Sequence, residues 1–361
     1  MTTTSTPDSA SWMGTVGPRW LSDVLGAAIA SVETEPLGVA SAAGELARLS
    51  LTYEPAGTQG PATIIAKAPG SSEIQRMMDA AMGLFARERF VYGELAGALP
   101  VRLPRCYHPG DGDKEEPMLL EDLRGLRMGD QVAGLDRADA ERLVDLLADL
   151  HGAFWETDFG ESGPPGGDAG RLVSWTDPVL GAMLTQLVTS GVAALRQRYE
   201  GRVPPGVLDA IEELAPDWAT VLRRCAEGPQ TFVHNDFRLD NIFFEPDGEP
   251  VVLDWQLAGR CRGTQDLAYL LSGSMATDAL RECWDVLVRR YHARLLAGGV
   301  GGYDLDECRF HYRQSLLYTV APGIAMLGQM QLGGGDARGL ADTLILRTLT
   351  HAGELDAFAT L

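Results

Sequence analysis

The sequence predicts an α+β fold of two lobes, a small β-rich lobe followed by a larger helical one. Three observations predict it. Strand-like alternation runs between Gly38 and Lys67, a helical apolar period dominates after Gly134, and one β segment, TFVHNDFRLDNIFFEPDGEPVVLDW, interrupts the helical half. The lobes are expected at residues 1–122 and 123–361, joined near EDLRG.

The elements follow in order. ELARLSLTYE and ATIIAKA, separated by the turn-rich PAGTQGP, read as a hairpin. Glu73 to Leu99 reads as one helical stretch, with apolar residues at Ile74, Met77, Met78, Ala81, Leu84, Phe85, Val91, Tyr92 and Leu95. HPGDGDKEEP is turn-rich and leads into the short strand Met118–Leu120. Asp136 is placed to cap a helix carrying Leu143, Val144, Leu147, Leu150 and Phe154 on one face. Gly/Pro-rich loops at 160–170, 201–206 and 298–302 separate later helices, and IFF and VVL flank a PDGE turn. Residues 1–14 are polar and of low complexity, which predicts a frayed tail.

Composition excludes some functions. The 361 residues are 45% hydrophobic, enough for a substantial core. Fifty acidic against 30 basic residues give a formal charge of -20, a field that repels nucleic acid and anionic membranes. The same field favours a cationic substrate, although a solvated acidic surface is the plainer account. Five scattered cysteines form no C-x-x-C pair, so neither a disulfide framework nor a zinc site follows. MTTTSTPDSASW lacks the basic start and apolar core of a signal peptide. The apolar stretch Leu316 to Met330 is broken by Pro322 and two glycines and is too interrupted to span a bilayer. A cytoplasmic protein with no membrane partner is expected.

Glu88 falls where the helical stripe demands an apolar side chain. A buried carboxylate needs a cation, and Lys67, alone in the apolar strand IIAKA, is the candidate. Such a pair orients a lysine toward ATP phosphates. The alternative is that Glu88 snorkels to solvent.

The segment His234-Asn235-Asp236-Phe237-Arg238-Leu239-Asp240-Asn241 is followed thirteen positions later by Asp254. An aspartate, an asparagine five residues on and a second aspartate across a hairpin form the arrangement used for phosphoryl transfer. The hairpin would bring Asn241 and Asp254 to one end, where two oxygens suit Mg2+. Asp236 could accept the proton of an attacking hydroxyl, and Arg238 could pair with phosphoryl oxygens. His234 is expected to brace the loop, Asp266 to cap or anchor, His151 to be a satisfied core histidine, and Asp240 to be a loop residue. Small residues from Ser41 through Gly44 to Glu45 could form a phosphate loop, or a plain hairpin turn.

ELARLSLTYE…IIAKAPG, FARERFVYGELA, PMLLEDLRG, VHNDFRLDNIFF and VVLDWQLAGRCRGTQDLAYLL together resemble the aminoglycoside phosphotransferase and choline kinase family, in particular its ecdysteroid-kinase-like branch. The resemblance spans about Gly38 to Leu271. It implies a protein-kinase-like fold, ATP bound between the lobes near Glu121 and Leu123, and O-phosphorylation of a small molecule in the C-terminal lobe. Two departures stand out: the usual H-G-D is His234-Asn235-Asp236, and the D-F-G of protein kinases is Asp254-Trp255-Gln256. Asparagine tolerates unusual backbone angles, and D-W-Q is similar to the small-molecule branch. Only eleven residues separate Asp254 from Asp266, too few for the platform that docks a peptide, so no protein substrate is expected.

The expected function is therefore an ATP- and Mg2+-dependent small-molecule kinase. A nucleotide-binding pseudokinase acting as a sensor or scaffold is the competing class, although each polar group of the arrangement is present. The acceptor is left open among an aminoglycoside or amino sugar, a choline-like amino alcohol, and a steroid-like or hydroxyacyl compound.

Overall fold

A computed structural model describes residues 11–14, 16–37, 44–55, 60–112, 116–157, 172–332 and 336–361. Helix α1 (Pro18–Leu25) leads into strands β1 (Ile29–Leu37), β2 (Gly44–Tyr53) and β3 (Thr63–Pro69). Helices α2 (Glu73–Met82) and α3 (Leu84–Phe90) follow, then β4 (Cys106–His108) and β5 (Met118–Glu121). The strands form one antiparallel sheet in the order β1-β2-β3-β5-β4. Strand β1, which the sequence pattern missed, is mostly exposed and carries little apolar alternation.

Side-chain alternation gives this sheet two faces. Ala47, Leu49 and Leu51 of β2 and Ile64, Ala66 and Ala68 of β3 pack with Trp12, Val16 and Leu21 on one side. Ile65 of β3 and Met118 and Leu120 of β5 face the other way, into a core shared with Phe85 and Phe90 of α3. Lys67 has the parity of Ile65 and is carried to that second face. The frayed tail expected over residues 1–14 is shorter at its inner end. Ser11–Gly14 form a 3-10 turn, and Trp12 is buried with its indole N–H donating to Glu45 at 3.0 Å. Residues 1–10 lie outside the described residues.

The single helical stretch expected over Glu73–Leu99 is corrected to two helices and a π turn. Gly83 takes φ +63°, left-handed backbone that ends α2 and resets the helical phase. Before the break Met77 is 66% exposed and Ala81 is exposed too. After it, Leu84, Glu88, Val91 and Leu95 are buried as the period requires, with Val91–Leu95 wound as a π turn.

The helical lobe begins after β6 (Arg127–Met128) with α4 (Arg137–Ala153). Asp136 caps α4 by accepting from the Asp139 amide at 2.8 Å, a contact worth about 1 kcal/mol. Then come β7 (Val173–Ser174), α5 (Pro178–Tyr199), α6 (Val207–Leu214), α7 (Trp218–Cys225), β8 (Thr231–Val233), β9 (Ile242–Phe244), β10 (Pro250–Val252) and β11 (Gly259–Cys261). Helices α8 (Thr264–Ser274), α9 (Thr277–Ala297), α10 (Leu305–Ser315), α11 (Val320–Leu332) and α12 (Asp336–Glu354) complete the chain. The one β interruption expected here is in fact part of two small sheets, β10-β9-β6 and β7-β11-β8. Helix α8 is buried along its whole length and forms the centre of the lobe.

Among the described residues one helix, α5, is long and apolar enough to cross a membrane; it is not the Leu316–Met330 stretch singled out above. Its Gly181, Leu184, Val188, Leu195 and Tyr199 are buried inside the protein, against a set of helices that includes α7 and α11.

Candidate active site

Strand β3 and helix α3 carry the first half of the site. Lys67 Nζ lies 2.8 Å from Glu88 Oε1 and 3.0 Å from Asp254 Oδ1, so one ammonium serves two carboxylates. Lys67 is 6% and Glu88 1% exposed, which settles the choice between pairing and snorkelling for Glu88. Burial alone would lower the Lys67 ammonium, but Asp254 and Glu88 outweigh it and hold it above the ordinary lysine value. The two carboxylates compete for that cation. Burial, helped by Asp254, pushes Glu88 above the usual carboxylate range against the pull of Lys67, whereas Asp254 is held below that range, Lys67 overcoming its burial.

The second half stands on the hairpin β9–β10. Phe244 pairs with Pro250, Phe243 with Val251 and Ile242 with Val252, and the Leu253 amide donates to Asn241 O at 2.9 Å. Asn241 and Asp254 therefore leave the same end of the hairpin. Asp254 adopts φ +61°, a left-handed turn that stops β10 from continuing. Asn241 gives Nδ2 to Asp236 Oδ2 at 3.0 Å and to Asp236 O at 2.9 Å. Arg238 Nε is 3.5 Å from Asp236 Oδ1, and Asp236 leads the charges that raise its guanidinium above the ordinary range.

The loop between β8 and β9 is held from beneath. His234 is fully buried, with Nε2 donating to Leu253 O at 2.8 Å while Nδ1 accepts from the Asp236 amide at 3.2 Å. It braces the loop as expected. Asp266, on the first turn of α8, accepts from the amides of His234 at 2.6 Å and Asn235 at 2.8 Å. It is an anchor, not a cap. His151 is a satisfied core histidine, with Nδ1 2.8 Å from the Tyr291 hydroxyl and Nε2 3.4 Å from Asp266. Asp240 is half-buried, and burial raises its carboxyl despite Arg238.

Other sequence-derived candidates fare differently. Ser41 lies outside the described residues, and Gly44 opens β2 opposite Pro69. Glu45 ties the turns around Trp12 and Ser71 together. The Glu121 side chain is occupied: Arg102 grips it with two bonds of 2.9 Å, and the Arg105 amide adds a third. Its backbone amide is spent too, donating to Arg105 O at 2.8 Å. Leu123 is buried, and its carbonyl accepts from the Leu126 amide at 3.1 Å.

Sequence reasoning missed several neighbours. Gln131 Oε1 accepts from the Leu239 amide at 2.8 Å while its Nε2 donates to Gly273 O at 2.8 Å, tying the loop to α8. Tyr269 sits beside Asp236, and burial followed by that carboxylate raises its phenol far above the ordinary value. Its position one helical turn after Asp266 in DLAYLL was the available signal.

Among solved structures, the fold is similar to choline kinase from Cryptosporidium parvum, with a TM-score of 0.54 at 12% identity over 91% of each chain. It is also similar to a protein assigned as an aminoglycoside phosphotransferase from Ralstonia eutropha, with a TM-score of 0.53 at 14% identity over 95% of this chain and 97% of that one. Plasmodium vivax ethanolamine kinase gives 0.53 at 11% identity, over 89% and 82%. At these identities the likeness is one of fold, the protein-kinase-like fold of small-molecule kinases. No curated protein matches the sequence. The profile of the ecdysteroid kinase-like family matches residues 40–298, more than half of the chain.

Proposed function

The chain belongs to the ecdysteroid kinase-like family, whose members are small-molecule phosphotransferases, and from that premise we propose that it transfers the γ-phosphoryl group of ATP to a hydroxyl of a small molecule with Mg2+ as cofactor. The observation that supports this most is the meeting of two half-sites in one place. Lys67 reaches Asp254, and Asn241 reaches Asp236, at the same open end of the hairpin.

In this reading Lys67, set by Glu88, holds nucleotide phosphates between lobes divided near residues 122 and 123, with Glu121 and Leu123 contributing backbone groups to the nucleotide. Gly44 and its neighbours would border the phosphates. Asn241 and Asp254 hold the metal. Their chemistry fits it: Asn241 spends its amide nitrogen on Asp236, which leaves Oδ1 without a protein donor among the described residues, and Asp254 presents a second hard oxygen. Bound there, Mg2+ would neutralise charge on the phosphates. Asp236 accepts the acceptor's proton and keeps its hydroxyl in line, while Arg238 steadies the transferring group.

The acceptor is a small molecule because α8 begins at Thr264, directly after β11, and leaves no room for a peptide-docking segment. Cationic acceptors gain from the charge of -20, whereas steroid-like or hydroxyacyl acceptors gain from the family likeness.

The test is ADP release from Mg·ATP across a panel of alcohols, with ATP binding measured separately by calorimetry. Asp236→Ala should keep ATP affinity within about threefold and lose transfer by roughly three orders of magnitude or more, since it removes hydroxyl orientation and spares the metal site. Asp254→Ala should weaken Mg·ATP binding itself. Near-normal turnover in Asp236→Ala overturns the assignment, and ATP binding with no acceptor-dependent transfer in the parent protein favours a scaffold.

A further inference from the structure

Asn235 stands between the bracing His234 and Asp236, where the related pattern carries glycine. Its φ of +66° explains why a residue tolerant of left-handed backbone is needed, but glycine would meet that need as well. The side chain requires a further reason. Asn235 is 1% exposed, and each polar group it has is engaged. Oδ1 accepts from Trp175 Nε1 at 3.1 Å and from Gln265 Nε2. Nδ2 donates to Leu257 O at 2.8 Å, the backbone amide donates to Asp266, and the Tyr318 hydroxyl donates to the backbone carbonyl at 2.8 Å.

These partners come from four separate segments. Trp175 follows β7, Gln265 and Asp266 open α8, Leu257 lies just before β11, and Tyr318 lies between α10 and α11. The packing is shaped around the amide: a Cβ on Gly259 would stand 2.5 Å from Asn235 Nδ2. Trp175 and Tyr318 close the outer side, with ring centroids 4.9 Å apart.

We infer that Asn235 is a positioning residue whose side-chain amide, gripped by Trp175, Gln265 and Leu257, sets the aim of the Asp236 carboxylate. The inference rests on the phosphotransfer reading for its kinetic consequence. Its structural content stands apart: the amide links α8, β11 and β7 to the backbone atom that carries Asp236, so loosening it tilts Asp236 without touching Lys67 or Asp254.

Asn235→Gly keeps the left-handed backbone and deletes only the amide. With Mg·ATP and water as acceptor, its kcat for ADP release should fall about tenfold to hundredfold while KM for ATP stays within about twofold. Hydrogen exchange of the backbone amides of residues 236–241 should speed up by about tenfold in the same variant. Trp175→Phe removes one donor and keeps the ring, so it should show part of both effects, and the double variant should be no worse than Asn235→Gly alone. Parental kcat and exchange in Asn235→Gly would overturn the inference. If that variant does not fold, Trp175→Phe decides, and parental values there overturn it equally. Absence of ADP release above background in the parent protein with water and with every alcohol of the panel defeats the phosphotransfer reading, and the exchange measurement still judges the clamp.

Discussion

Lys67 Nζ is 3.0 Å from Asp254 Oδ1, a contact between residues 187 apart in sequence that joins the β-rich lobe to the hairpin of the helical one. Glu88 completes the group, buried and within 2.7 Å of the same ammonium. Lys67→Met should cost about 3 kcal/mol or more in urea unfolding, because it strands a buried carboxylate. Lys67→Met with Glu88→Leu should recover most of that loss while ATP binding stays absent. If the double variant binds ATP normally, the lysine has no part in holding phosphates.

The Asp266 carboxylate is fully buried and accepts two loop amides, so it is the support on which His234 and Asn235 rest. Asp266→Ala leaves both N–H groups without a partner in the interior and should destabilise the fold by about 2–4 kcal/mol. Chemical denaturation reads this directly. A loss below about 0.5 kcal/mol would mean that water or another group takes over both amides.

Arg238 stands at a looser 3.5 Å from Asp236, and its Nε is buried without a hydrogen-bond partner among the described residues. A guanidinium held this way has donor capacity left for an anionic group. Arg238→Ala should lower kcat about a hundredfold while the melting temperature moves by only a few degrees, roughly the shift that 1 kcal/mol produces in a chain of this size. Unchanged kinetics would show that the side chain serves only the loop.

The legible part of the site was the part written locally. Asp236, Asn241 and Asp254 are related by short spacing and one hairpin, and Glu88 announced itself by breaking an apolar period. The supports were illegible because they are distant in sequence: Trp175 and Tyr318 reach Asn235 from 60 and 83 residues away, and Gln131 reaches Leu239 from 108. The fold shows the same division. β7 and β11 are two and three residues long, too short for alternation to register, and they exist because they pair with each other and with β8. One glycine, Gly83, split a helix whose apolar pattern ran on through it. Glu121 was placed near the nucleotide by likeness, but nothing in the sequence disclosed that Arg102 occupies its carboxylate.

His351 is buried on α12, with Nε2 3.0 Å from the Tyr312 hydroxyl and the charged groups of Glu354 and Arg281 nearby. Burial, with Arg281 acting in the same direction, pushes it down to about 4, so the folded protein holds it neutral while the unfolded chain would protonate it near 6.5. A base depressed in this way contributes stability that is fully present above pH 6.5 and lost as pH falls through about 4. That contribution is on the order of 3 kcal/mol, and His311, pushed down to about 3 chiefly by burial, acts in the same sense. Urea midpoints measured from pH 7 to pH 4 should therefore fall more steeply for the parent protein than for His351→Gln, which keeps an acceptor for Tyr312 but cannot take up a proton. Equal slopes would place the acid sensitivity elsewhere, in the carboxylates paired with arginine such as Asp285 and Asp342, whose carboxyls those arginines hold below the usual range.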